Sequence, residues 1–374
     1  LTNQDILPIR YVNLAQQWRD ERAELLPILE SVLATGQYVG GNYIDEFERA
    51  VAELLGIRYA VAVNSGTDAL MLGLKAIGVG RDDEVITPPN SFIASTSAIV
   101  HVGARPVFVD VGEDQNIDPD QIESAITERT KAIMPVHLTG RIARMDAICQ
   151  IAAAHGIPII EDAAQAIGSR YQGRYAGTWG TVGCFSAHPL KNLNALGDAG
   201  FIVTEDEEAA DLVRKMRNHG LTGRDTVTEF GLVSRMDALK AAALCFRLKK
   251  LEDVIHKRRL NSARLREMLN PRHVFIPEDS PFEFNTYHTF VIQVDHRDAL
   301  RSFLNKNGIE TAIHYPVPIH LQPAAKSLGY QQGDFPRTEM QSERILTLPV
   351  NQTLSLRQVD FVASKVNEFF TLCG

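Results

Sequence analysis

The stretch "IPIIEDAAQAIG", residues 157–168, decides the fold. A short apolar run ends on two adjacent carboxylates, Glu161 and Asp162, and small residues follow at once. An apolar run without polar alternation suits a strand buried on both faces of a sheet. Two carboxylates at its end are costly to bury unless each finds a partner. One of them could cap the helix that follows; the other reading gives Asp162 a cationic ligand partner.

Comparable runs stand on either side: "YAVAV" (59–63), "EVITP" (84–88), "PVFVDV" (106–111), "AIMPVHL" (132–138), "GCFSA" (183–187) and "GFIVTE" (200–205). Helical patterns such as "EFERAVAELLG" (46–56), "TDALMLGLKAIG" (67–78) and "MDAICQIAAAHG" (145–156) alternate with them. The alternation predicts an α/β fold, a seven-stranded, mostly parallel sheet sandwiched by helices. The loop between the last two runs is too short for a crossover helix, so one of them is expected to run antiparallel. From about residue 235 the texture changes. Residues 234–269 read as one long helix, followed by a strand at 288–294, a helix at 298–308 and a closing helix at 356–370. A chain of 374 residues is long for one core, so two domains are expected, 1–245 and a smaller α+β unit at 246–374.

The formal charge of −8 argues against a nucleic-acid binder, and the basic stretch at 247–259 reads as a solvated helix face. Cys149, Cys184, Cys245 and Cys373 are scattered without a paired motif, which suits a reducing compartment and gives no zinc site. No apolar run approaches the ~20 residues of a membrane span. The opening "LTNQDILPIR" has neither a basic nor an apolar signal region. A cytoplasmic protein without metal is expected.

Ligands of open α/β sheets bind beyond the carboxyl ends of the strands. After 59–63 comes "NSGTDAL", where Ser65, Gly66 and Thr67 open a helix; the segment serves equally as a plain N-cap or as a phosphate cradle. After 84–88 comes Phe92, either a core ring or one that stacks on a flat ligand. After 183–187 come Ser186, His188 and Lys191, in "HPLKNLNALGDAG". A lysine there is a surface residue, or a desolvated amine able to form a Schiff base. Taken together, a phosphate cradle, a stacking ring, a buried acid and a loop lysine are what pyridoxal 5'-phosphate requires.

The chain resembles the DegT/DnrJ/StrS family of sugar aminotransferases, of the aspartate-aminotransferase fold type I. The likeness runs from "GQYVGGNYIDEFERAVAELLG" through "VNSGTDAL", "PPNSFIAS", "IEDAAQAIG" and "FSAHPLKNLNALGDAGFIVT" to "IHYPVPIHLQP" and "SERILTLPV". The resemblance implies that Lys191 carries the cofactor as an internal aldimine and serves as nucleophile and general base. Asp162 matches the pyridine-nitrogen partner and Gln165 the contact to the phenolic oxygen. Gly66, Thr67 and Ser186 match the phosphate ligands and Phe92 the stacking ring. Tyr38, His188, Tyr315 and His320 are candidate substrate contacts, Tyr38 in the neighbouring subunit's site; a rigid domain-edge loop is the other reading for 312–323. The implied activity moves an amino group from glutamate or glutamine to a keto-sugar, preferably nucleotide-linked, with a sugar phosphate as the alternative. The family implies a homodimer with shared sites. Val233 replaces an asparagine that in many relatives reaches across the dimer to the phosphate. Ala187, His188 and Leu190 are also unusual. A sugar dehydratase is disfavoured because Lys191 is present, and a non-catalytic regulator because no DNA-binding segment is evident.

Overall fold

The computed structural model describes residues 8–373, with side chains to residue 372. Most of the chain start, on which the reading of no signal peptide rests, and the Cys373 side chain lie outside the described residues. In chain order the strands are β1 (Tyr59–Val63), β2 (Glu84–Thr87), β3 (Arg105–Phe108), β4 (Thr130–Ile133), β5 (Ile160–Asp162), β6 (Arg170–Tyr171) and β7 (Arg174–Tyr175). They continue with β8 (Val182–Ser186), β9 (Gly200–Thr204), β10 (Val274–Phe275), β11 (Glu283–Phe284), β12 (Phe290–Val294) and β13 (Ile345–Leu348). The helices are α1 (Leu14–Thr35), α2 (Asn42–Leu55), α3 (Gly66–Ala76), α4 (Ile93–His101), α5 (Met145–His155) and α6 (Glu207–Met216). Then follow α7 (Ala238–Leu248), α8 (Leu251–Met268), α9 (Arg297–Lys306), α10 (Pro336–Arg344) and α11 (Leu356–Cys373).

The large sheet has two pieces, β1-β9-β8-β5 and β3-β2-β4. Parallel bridges Ile133↔Ile159 and Val136↔Asp162 join them. All seven expected strands are present, each within a few residues of its sequence reading. β9 runs antiparallel to both neighbours and the other pairings are parallel. Alternate residues of one strand serve opposite cores. Ala60 and Ala62 join Phe185 and Phe201 in a core with α2, α5 and α7. Val61 and Val63 join Cys184 and Ile202 in another with α3, α4 and α6. Burial on both faces is why these strands read as apolar runs.

A third core holds the small sheet β10-β12-β13, with α9 and α11. It draws Ile9 from the chain start and Leu265 from α8, whereas Leu251 and Ile255 pack in the large core. The division expected at 245/246 falls inside α7, whose Cys245 packs with the large core.

Two readings need correction. Residues 234–269 form two helices, α7 and α8, separated at Lys249 and Lys250. α7 is buried along almost its whole length against α1 and α2, while α8 departs toward the small sheet. No glycine or proline marks the break, because the change of packing partner makes it. The basic stretch 247–259 is also not wholly a solvated face. Arg247 is buried on Glu21 (2.8 Å) and the Asn194 carbonyl oxygen, and Arg258 is buried beneath the small sheet's entry. Cys149, Cys184 and Cys245 are free. Among the described residues no helix is long and apolar enough to cross a membrane.

The end of β5 fixes the site. Glu161 is fully buried and accepts from His137 Nε2 (2.8 Å) and from the amides of Gly177 (2.7 Å), Trp179 (2.6 Å) and Gly180 (2.6 Å). His137 Nδ1 accepts the Ala143 amide, so the ring's proton sits on Nε2 and is donated to Glu161. Because successive side chains of a strand face opposite ways, this anchor turns Asp162 to the other side. Replacing Glu161 with alanine leaves one buried and two partly buried amides and a buried imidazole N–H without an acceptor. The expected cost is about 3 kcal/mol or more, read as a fall in the urea midpoint of the Glu161→Ala chain.

Candidate functional site

A cleft of about 270 Å³ opens at the carboxyl ends of β1, β5 and β8. Ser65, Gly66, Thr67, Phe92, Asp162, Gln165, Ser186, His188 and Lys191 all line it, with Tyr315 on the small-domain side. The residues singled out after separate strands are thereby brought to one place.

One wall is the start of α3. Ser65 Oγ accepts the Asp68 amide and the Ser65 carbonyl oxygen accepts that of Ala69. That leaves the amides of Gly66 and Thr67, at the positive end of the helix, for an anion. The sheet permits the approach only because two residues lack side chains. A Cβ on Gly66 would lie 2.6 Å from Ser186 Cβ, and one on Gly200 would lie 2.4 Å from the Ser65 backbone. Ser186 Oγ is thus set against the helix terminus. Ser65 caps the helix, as one reading had it, while two amides stay available for an anion.

Asp162 forms the floor. It is 5% exposed, and its Oδ2 accepts from Ser95 Oγ (2.6 Å) while Oδ1 accepts the Ala164 amide (3.1 Å). Ser91 in turn donates to Ser95 (3.0 Å). Gln165 is oriented from behind: Oε1 accepts the Thr139 amide (2.8 Å), so its NH2 group is presented toward Tyr315 and the cleft. A fixed amide donor suits an anionic oxygen. Phe92 is 54% exposed, so it is a cleft ring rather than a core one, and it sits 5.8 Å from the Tyr315 ring.

The lysine loop owes its shape to its asparagines. Lys191 N donates to the His188 carbonyl oxygen, Asn192 Nδ2 to that of Thr286 (3.0 Å), and Asn194 Nδ2 to that of Pro189 (2.8 Å). Asn194 also exchanges two 3.0 Å amide bonds with Gln17 of α1. These contacts hold the turn and leave the Lys191 amine to the cleft. Desolvation pulls its pKa down to about 8, against the opposing attraction of Asp162. Three imidazoles surround it. Burial lowers the pKa of His188, pushes that of His314 down to about 4, and takes that of His288 well below the usual range. Burial and the Asp162 charge raise that of the Tyr315 hydroxyl.

Two expected substrate contacts are not in this cleft. His320 is 2% exposed and bonded to Glu339 (3.0 Å), in a small aromatic cluster with Phe335. Its proline-rich loop is a packed domain edge at this point, as the alternative reading had it. Tyr38 is half-exposed and outside the lining, as is Val233, which bridges Asn218. Sequence reading missed Ser95, Thr139 and His288. Ser95 closes the "PPNSFIAS" stretch, but nothing in it pointed to a contact with Asp162, and Thr139 and His288 are brought in by other elements.

The chain matches a family model described as the DegT/DnrJ/EryC1/StrS aminotransferase family over residues 19–367. It is 38% identical over 363 residues to a pleiotropic regulatory protein of Geobacillus stearothermophilus, covering 96% of this chain and 98% of that one. It is 39% identical over 363 residues to the dTDP-3-amino-3,4,6-trideoxy-alpha-D-glucose transaminase of Streptomyces venezuelae, covering 96% of each. Its structure resembles that of S. venezuelae DesV in complex with a ketimine intermediate, with a TM-score of 0.95, 39% identity and coverage of 97% and 98%.

A lysine whose pKa is held near 8 is half neutral at a pH where exposed lysines are almost wholly protonated. Trace acetylation across pH, followed by peptide mass spectrometry, should give Lys191 a midpoint near 8, with surface lysines near their usual ~10.4. The folded value lies below the unfolded one, so the unfolded chain binds more protons between about pH 8 and ~10.4. This group alone therefore makes the cofactor-free fold more stable as pH rises through that window.

Proposed function

The chain belongs to the DegT/DnrJ/EryC1/StrS aminotransferase family, and from that premise we propose that Lys191 holds pyridoxal 5'-phosphate and that the cleft passes an amino group from glutamate or glutamine to a nucleotide-linked keto-sugar. The protein is a fold type I, pyridoxal-phosphate-dependent aminotransferase, and its named relatives include nucleotide-sugar transaminases. The observation that carries the residue assignment is the convergence, in one cleft, of a lysine of lowered pKa, a buried carboxylate and an uncommitted helix N-terminus.

The cleft fits the cofactor. Gly66, Thr67 and Ser186 would take the phosphate, where a Cβ on Gly66 would collide with Ser186. Asp162 would face the pyridine nitrogen, Gln165 would donate to the phenolic oxygen, and Phe92 would cover a ring face. When bound, the cofactor supplies an electron sink for a carbanion at the substrate carbon. The protein's part is positional and protonic. Asp162, locked by Ser95 and the Ala164 amide, keeps its charge aimed at one place. Lys191, freed by the incoming amine, moves the proton as general base and acid, a task suited to a pKa near working pH. His188 and Tyr315 line the cleft beyond the lysine and are placed to meet the sugar.

We place the second subunit over the exposed apolar residues Tyr38, Val39, Val227 and Phe230, as a homodimer in which Tyr38 approaches the neighbouring cleft. Val233 belongs to this exposed set and offers methyl groups where an amide is implied by the family. The three free cysteines among the described residues suit a cytoplasmic enzyme.

Purified protein should absorb in the visible, and glutamate should discharge the band. Borohydride reduction should attach the cofactor to Lys191, whereas Lys191→Ala should lose the band; a label on another lysine would refute the assignment. Asp162→Asn should still bind the cofactor but lose turnover by about a hundredfold or more. Full activity in that variant would remove its role. Release of a keto acid from the donor also separates an enzyme from a regulatory protein that only binds the cofactor.

A further inference from the structure

The segment "NTYHT" (285–289) leads into β12 and has no role assigned to it so far. It is stitched to three other segments. The Thr286 amide donates to the Gly140 carbonyl oxygen (3.2 Å) and the Thr289 amide to that of Thr139 (3.3 Å). Asn192, next to Lys191, holds the Thr286 carbonyl oxygen (3.0 Å). Arg259 donates to that of Asn285 (2.7 Å), and Arg258 Nη1 donates to those of Tyr287 (3.1 Å) and His288 (3.0 Å). Within this clamp Tyr287 takes a φ of 47°, a left-handed conformation that a tyrosine rarely adopts. Backbone held against its preference needs over-determined surroundings, and such strain gathers at functional sites. What it delivers is the ring of His288, into the wall of the cleft that holds Lys191.

The ring is without a partner. His288 Nδ1 is buried and unbonded, and no group among the described residues hydrogen-bonds either nitrogen. Each of the other two imidazoles is tied through its Nδ1, and of the two only His314 keeps an Nε2 that can still accept. His188 Nδ1 accepts the Leu190 amide (3.2 Å), so its Nε2 bears the proton and cannot accept another. His314 Nδ1 is bonded to Thr347 Oγ1 (2.9 Å). Asp162 already receives Ser95 and the Ala164 amide and is assigned to the cofactor ring. Asp198, the other carboxylate of the cleft, lies on its exposed rim. Burial disfavours a charged His288 most, and the nearby cations Lys191 and Arg258 add to it, so the ring stays uncharged with a free lone pair.

Resting on the reading of Lys191 as the cofactor lysine, we propose that the imidazole of His288 is the hydrogen-bond acceptor for the ε-ammonium of Lys191, the form that amine takes once it has removed the substrate's proton. The proton passes from the substrate carbon to Lys191 Nζ, its bonding pair stays with the substrate and cofactor, and no covalent bond to His288 changes. His288 is a positioning residue. It gives a desolvated ammonium one acceptor, so that the proton transfer does not end in an unpartnered charge.

The test is the Lys191 labelling midpoint in the full-length, cofactor-free chain, measured by trace acetylation for wild type, His288→Leu and His288→Gln. Loss of an acceptor for a charged donor should lower the midpoint in His288→Leu by about one pH unit, a tenfold change in the protonation equilibrium. His288→Gln, which keeps an acceptor oxygen, should return it toward wild type. In the holoenzyme, His288→Leu should lower the kcat of the donor half-reaction and leave KM for the donor unchanged. An unmoved midpoint in both variants overturns the proposal, and so does a rise in KM alone, which would make His288 a substrate contact. If His288→Leu does not fold, a His288→Gln midpoint lowered as far as loss of the acceptor predicts would overturn it, and a wild-type-like one would support it. Failure of the parent reading looks different: borohydride would attach the cofactor to another lysine in wild type, whatever the midpoints do.

Discussion

Two adjacent carboxylates at the end of β5 are the constraint on which the rest of the site depends. A strand buried on both faces has no solvent to offer either of them, so each must be met by protein or by ligand. Glu161 is met wholly by protein, through three amides of the 177–180 turn and the His137 ring. That knot ties β5 to the turn before β8 and to the loop after β4, and it sets the register that sends Asp162 to the opposite side. Asp162 is met only in part. Ser95 and the Ala164 amide occupy one lone pair on each oxygen, and the remaining capacity faces the cleft. One carboxylate thus anchors the strand end, and its neighbour keeps acceptor capacity open toward the cleft.

The strand mouths were legible because double-sided burial writes an unbroken apolar run, and chemistry placed beyond such a run stands out against it. That one of the last two strands runs antiparallel was legible too, since the loop from Ser186 to Gly200 cannot hold a crossover; that it is β9 was not. Other features left no local trace. The break between α7 and α8 carries no glycine or proline, for it marks a change of packing partner and not a turn preference. Arg247 and Arg258 look like any helix-surface cations until Glu21 and the carbonyl oxygens of 287 and 288 fold over them. His320 was misread because a proline-stiffened loop with histidines resembles a substrate edge, whereas Phe108 and Phe335 make this one a small core. His288 was invisible because its placement depends on residues 139, 140, 192 and 258, none of them near it in the chain.

On the proposed role of Lys191, the cleft would keep a cationic amine reactive in a protein of net negative charge. Lys191 has a single buried carboxylate in its neighbourhood, Asp162, and that attraction does not overcome desolvation. Its other near neighbours, His188, His288 and His314, are polar without being charged. An aspartate in any of those places would hold the amine as ammonium and remove its nucleophilicity, and a purely apolar residue would leave the ammonium unstable once formed. An imidazole held neutral by burial with a free lone pair, as His288 is, avoids both outcomes, because it can exchange hydrogen bonds with either protonation state at little electrostatic cost. The cations themselves help maintain that condition. Arg258 and Lys191 both disfavour protonation of His288, so on the proposed mechanism the polarity of the pocket would stay constant while the lysine cycles between its two forms.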